Sequence, residues 1–185
     1  MRAIKVLRKY LLLLLALAVF AAVHESVHIL TAAAFGEFNG FHLKPYGFEV
    51  EFRTPVSERT GVEWGLISGS SNLATIAIDY VMYSQRRMIS LQNSTLYILG
   101  YWLTLCFLIL DPLNLSVGPF IYGGDVYGVS VGFSVNQYII QAAFLGLFLL
   151  NRELLVQRLI PLYKVETRHP LFQPLLKRKG SPKEP

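Results

Sequence analysis

The sequence predicts an all-α membrane protein with about four transmembrane helices, a small β-hairpin at the membrane surface, and a glycine- and proline-broken segment able to re-enter the bilayer. Three observations predict it. The 185 residues are 53% hydrophobic and only 16% charged, with a mean hydropathy of +0.43, more apolar than an ordinary soluble domain. The apolar residues come in long blocks, as bilayer spans do. The net charge of +5 comes largely from Lys and Arg gathered at the two ends and in one short loop. Such clustering marks the cytoplasmic flanks of an integral, multi-pass membrane protein rather than a nucleic-acid-binding stripe.

The predicted spans cover about residues 10–35, 61–83, 94–111 and 134–150. The last two are short for a bilayer that asks for about 20 residues, and they gain length from neighbouring residues. Arg2, Lys5, Arg8 and Lys9 precede the first span; Arg86 and Arg87 separate the second and third; Arg152, Arg158 and Lys164 head a basic tail. This bias puts both termini in the cytoplasm. The basic, apolar start resembles a signal peptide. Hydrophobicity resumes past His28 through Phe35, however, so a retained span is expected. Between the first two spans, Phe41-His42-Leu43-Lys44 and Phe48-Glu49-Val50-Glu51-Phe52 alternate apolar and polar residues around Pro45-Tyr46-Gly47, the pattern of a β-hairpin. Leu113 to Phe133 is broken by Gly118, Pro119, Gly123 and Gly124, and such a segment enters the bilayer only where protein covers its backbone. Residues 1–160 therefore read as one polytopic domain, and 161–185 as a basic, partly disordered cytoplasmic tail.

Chemistry concentrates in the first span. His24-Glu25-Ser26-Val27-His28 interrupts an otherwise apolar run, and ionisable groups at membrane depth mark functional sites. A helix places residues i and i+4 on one face, so both imidazoles can hold one metal ion while Glu25 acts as general base. Catalytic zinc takes three protein ligands and leaves a position for water. Cys106 sits in an apolar run, His42 in the hairpin and His169 in the tail. That leaves Asp79, Asp111 and Asp125. Depth along the helix favours the outer side, which ranks Asp125 first, Asp111 as runner-up and Asp79 last. Asp125 follows two glycines that permit close backbone approach, whereas Asp111 precedes Pro112 and can simply end a helix.

With these residues in hand, the chain resembles the site-2 protease family of intramembrane zinc metalloproteases. The resemblance covers Val23 to Val131. It rests on His24-Glu25-Ser26-Val27-His28, on Ser68-Gly69-Ser70-Ser71-Asn72, and on Asn114-Leu115, Pro119 and Gly124-Asp125 in that order. Ser70 stands where the family has proline, Val126 follows Asp125 where it has glycine, and there is no PDZ-like domain. The resemblance implies one Zn2+ per chain held by His24, His28 and Asp125, with Glu25 as the catalytic base. It implies that Asn72 or Asn114 donates to substrate backbone or oxyanion, and that the hairpin offers an edge strand to an unwound substrate segment.

The expected function is a zinc-dependent endopeptidase acting on membrane-embedded protein substrates within the lipid bilayer. Two alternatives stay open: a non-catalytic metal-binding scaffold, which would be an inactive relative, and a metal transporter. Substrate identity and oligomeric state are not legible in the sequence.

Overall fold

A computed structural model describes residues 2–44, 47–90, 94–122 and 124–176. Helix α1 runs Arg2–Ala34, 33 residues without a glycine or proline to interrupt it. It stops where Gly36 adopts φ +73°. There the Gly36 and Glu37 amides donate back to the carbonyls of Ala33 and Ala32 at 3.1 and 2.8 Å, closing the last turn. Strands β1 (Phe38–Lys44) and β2 (Gly47–Phe52) then pair antiparallel, Phe41 opposite Val50 and Leu43 opposite Phe48, with an irregularity between Phe38 and Gly40. The hairpin is present as expected; its turn residues Pro45 and Tyr46 lie outside the described residues.

Helix α2 (Val62–Ser84) starts at Gly61 and passes into the short α3 (Arg86–Ser90). Helix α4 (Ser94–Ser116) is followed by two short helices, α5 (Pro119–Tyr122) and α6 (Asp125–Phe133). Helix α7 (Gln137–Leu154) is capped by the Asn136 side chain, which accepts from the Tyr138 amide at 2.9 Å. It continues through a π-turn at Leu155–Leu159 to Leu162.

Among the described residues, three helical stretches are long and apolar enough to cross a membrane: Val6–Ala34, Ser94–Ser116 and Gln137–Leu162. The expected second span differs in composition. α2 has 23 residues, but its buried face carries Ser68, Ser71, Asn72, Thr75 and Asp79. The third and fourth expected spans were drawn too short. α4 runs straight through Asp111 and Pro112, because the carbonyl that Pro112 cannot serve is served from elsewhere. Proline has no N–H for the Leu108 carbonyl. The Asn151 side chain of α7 donates to that oxygen instead, at 2.8 Å, and Tyr80 donates to Asn151 Oδ1 at 2.8 Å. Asn151 is fully buried, so a polar side chain satisfies the carbonyl that Pro112 leaves without a backbone donor.

Three apolar clusters fix the packing. Tyr101 and Leu108 of α4 meet Leu155, Val156, Leu159, Ile160 and Tyr163 at the end of α7. Ala32, Trp64 and Ile67 join α1 to α2 beneath Phe38 and Phe52 of the hairpin. Leu115, Val126 and Ile140 tie α4, α6 and α7 together. Arg59, in the loop before α2, lies 4.8 Å from the Phe52 ring and 4.4 Å from Trp64, which fastens the hairpin over the second cluster.

The segment between α4 and α7 is mostly helical, and α6 packs against both α2 and α7. The fit against α2 uses glycine on both sides. A Cβ on Gly128 would collide with the Ser68 side chain, and one on Gly132 with the Gly65 backbone. The tail, read from sequence as partly disordered, is tied to α7 by hydrogen bonds as far as Leu176; residues 177–185 lie outside the described residues.

Candidate metal centre

His24 and His28 lie one turn apart on α1, 7% and 5% exposed, with their rings 4.8 Å apart. Each ring has an oxygen behind it at Nδ1. His28 Nδ1 lies 2.8 Å from the Ile67 carbonyl of α2. A carbonyl only accepts, so Nδ1 carries the hydrogen and Nε2 keeps a free lone pair. His24 Nδ1 lies 3.0 Å from Asp111 Oδ1, a close charge contact without hydrogen-bond alignment, and a carboxylate there favours the same tautomer. The second Asp111 oxygen takes a hydrogen bond from Thr75 Oγ1 of α2. Asp111 is 1% exposed and Thr75 fully buried.

The two Nε2 atoms therefore face inward, 3.1 Å apart. Asp125, the first residue of α6, completes the triangle. Its Oδ2 lies 3.4 Å from His24 Nε2 and its Oδ1 3.3 Å from His28 Nε2. Gly124 at φ +61° turns the chain into α6 at that point. Asn72 Nδ2 donates to Asp125 Oδ2 at 2.9 Å and to the Ser68 carbonyl at 3.0 Å. Ser71 Oγ lies 2.9 Å from His28 Nε2.

This triangle can be tested against a metal ion. Four ligands at about 2.0–2.1 Å in a tetrahedron stand roughly 3.3 Å from one another. The two Nε2 atoms are 3.1 Å apart, and Asp125 approaches each with a different carboxylate oxygen, Oδ2 at 3.4 Å from His24 and Oδ1 at 3.3 Å from His28. With a single ligand atom from each residue, the three atoms lie within 4.8 Å of one another. Two neutral imidazoles and a carboxylate, with an oxygen behind Nδ1 of each ring, are a donor set that suits zinc.

A cavity of about 840 Å³ opens onto the triangle. Its polar side includes Glu25, Asn114 and Asp125. Its apolar side includes Phe20, Leu113 and Ile121, together with Phe48, Val50 and Phe52 of β2. Glu25 is half-buried and reaches this space from the same helix as the histidines.

The candidates separate cleanly by position. His24, His28 and Asp125 converge. Asp111 stands behind His24 rather than beside the other ligand atoms, because it meets Nδ1 and not Nε2. Asn114 lines the cavity, but Asn72 does not; its amide faces Asp125 and the backbone of its own helix. Asp79 is buried further along α2, and His42 pairs with Glu51 at 2.8 Å on the exposed hairpin. His169 accepts from the Leu171 amide in the tail. Sequence reasoning missed Thr75 and the Ile67 carbonyl. Thr75 was detectable, since Ser68, Ser71, Asn72, Thr75 and Asp79 recur at helical spacing along one face. The carbonyl carries no sequence signal. Comparison of the chain with protein-family models, with curated proteins and with solved structures finds no match.

Proposed function

We propose that this protein is a zinc-dependent intramembrane endopeptidase, similar to the site-2 proteases, that hydrolyses peptide bonds in or near transmembrane segments of membrane proteins. One observation carries the reading: His24 Nε2, His28 Nε2 and the Asp125 carboxylate converge within 4.8 Å of one another, and all three residues line, with Glu25, a cavity large enough for a peptide.

His24, His28 and Asp125 would hold the zinc ion, which supplies a Lewis acid and lowers the pKa of water at the site. Asp111, the Ile67 carbonyl and Asn72 keep the three ligands oriented. Glu25 takes the proton of the attacking water on its carboxylate and returns it to the departing amide nitrogen. Asn114, on the cavity wall, is placed to donate to the substrate backbone. β2 lines the cavity and belongs to a two-stranded sheet, so an unwound substrate segment can add along it while its side chains meet Phe48, Val50 and Phe52. α2 serves as the fourth crossing: its polar face is buried against α1, α4 and α6, so the bilayer meets only the remainder. The short helices α5 and α6 are the re-entrant part, and both termini face the cytoplasm.

The test uses purified chain in bicelles, loaded with zinc and mixed with a set of single-span model peptides. Wild type cuts some of them, while Glu25→Gln keeps about one zinc per chain and cuts none. Cleavage by fully loaded Glu25→Gln refutes the assignment. Zinc binding with no cleavage of any peptide moves the chain to the non-catalytic metal-binding scaffold, and zinc flux into sealed vesicles to the transporter.

A further inference from the structure

We propose that the segment Pro170–Leu176 is a membrane-surface anchor, built to sink its leucines into the interfacial layer of an anionic lipid leaflet. This inference rests on the membrane-crossing helices and not on the protease reading.

The segment leaves the end of the last crossing helix, folds back, and is clamped against it. Arg152 donates from Nε and Nη2 to the Leu171 carbonyl at 3.2 and 2.6 Å, and from Nη2 to the Gln173 carbonyl at 2.6 Å. Glu153 accepts from the amides of Leu175 and Leu176 at 3.2 and 3.1 Å. Gln157 donates to the Leu176 carbonyl at 3.0 Å. Arg152 and Glu153 pair with each other at 2.9 Å, and both side chains are largely covered.

The N–H groups of this stretch can be accounted for one by one. Leu171 donates to His169 Nδ1, Phe172 to the His169 carbonyl and Gln173 to the Pro170 carbonyl. Leu175 and Leu176 donate to Glu153, and residues 170 and 174 are prolines with no N–H to satisfy. A loop in water has no need of such closure, because water serves its amides. A loop that enters an apolar layer does need it.

The side chains point the other way. Leu171, Leu175 and Leu176 are 68%, 64% and 70% exposed, with Phe172 also exposed beside them. In the sequence they run directly into Lys177-Arg178-Lys179, with Lys183 beyond and only Glu184 opposing. Exposed leucines next to clustered cations are the composition of segments that lie in the headgroup region of anionic membranes.

The test uses the full chain in lipid nanodiscs, with Cys106→Ser removing the one native cysteine and Leu175→Cys carrying an environment-sensitive dye. Discs are made of phosphatidylcholine alone or with phosphatidylglycerol added. The dye is expected to shift to the blue and to be quenched by lipid-borne nitroxide when phosphatidylglycerol is present. Each surface cation contributes about fivefold to such partitioning. Replacing Lys177, Arg178 and Lys179 by Gln should therefore lower the quenched fraction's equilibrium constant on the order of 100-fold. High salt should have a similar effect. A dye that stays water-exposed in both kinds of disc overturns the proposal. Equal quenching in both, unmoved by the Gln substitutions, overturns its anionic part. Protection that follows the number of protein copies per disc assigns the leucines to a second copy and overturns it too.

Discussion

Gly132→Ala should disable the proposed metal centre from a position some distance from it. The methyl would fall inside van der Waals contact with the Gly65 backbone nitrogen and Cα, and 3.1 Å from the Gly61 carbonyl. These obstacles are backbone, so no rotamer change relieves them. Restoring ordinary contact at about 3.5–4.0 Å requires α2 and α6 to part by about 1.5–2 Å. Overpacking of this sort costs about 1–3 kcal/mol. Asp125 lies seven residues earlier on the same rigid nine-residue helix, about 10 Å away. A metal ligand must sit within about 0.2 Å of its place, so even a fraction of that displacement weakens the site. Zinc affinity, measured by competition with a chelator in detergent, should fall at least about tenfold. The melting temperature of the metal-free chain should fall with it. Gly146→Ala is the control: its Cβ meets nothing within 4 Å, and in a helix interior the change is neutral or stabilising by up to about 1 kcal/mol. If Gly132→Ala binds zinc as wild type does and melts at the same temperature, then close α2–α6 packing does not set the position of Asp125.

Two further predictions concern buried polar partners. Asp125→Ala should abolish zinc binding, whereas Asp111→Asn, which nearly preserves shape behind His24, should weaken it about 10–100-fold; affinity unchanged within about twofold would deny Asp111 its positioning role. Asn151→Ala should cost about 1–3 kcal/mol by orphaning the Leu108 carbonyl. The same change beside Pro112→Ala should cost less, since the restored amide can serve that oxygen, and strictly additive losses in melting would refute the link.

The residues that could be read from sequence are those whose signal is local. The spacing of His24 and His28 within one helix, with Glu25 between them, needs no tertiary information. The alternation around Pro45-Tyr46-Gly47 likewise announces a hairpin. Asp111 and Asp125 could be ranked by depth but not assigned roles, because both reach His24, and only the ring nitrogen they face distinguishes them. Pro112 looked like the end of a span because the residue that lets the helix continue, Asn151, is 43 positions away from the carbonyl it serves. How residues 170–176 are held was not legible, because the side chains that bond them belong to α7.

The polarity that sets α2 apart from the three apolar helices is what the site is built on. Along one side it presents the Ile67 carbonyl to His28, Asn72 to Asp125 and Thr75 to Asp111, and so touches the support of every ligand. Beside these it presents Gly65 and Ser68, the surface on which α6 rests. Leucines in their place would make α2 an ordinary span and remove both the hydrogen bonds and the close approach. A helix facing lipid could not carry this stripe, since each unpaired polar group there is costly. α2 carries it because the stripe is buried by α1, α4 and α6, the helices that supply His24, His28, Asp111 and Asp125. The order of cause therefore runs from the polar stripe to the packing, and from the packing to the geometry of the three ligand atoms.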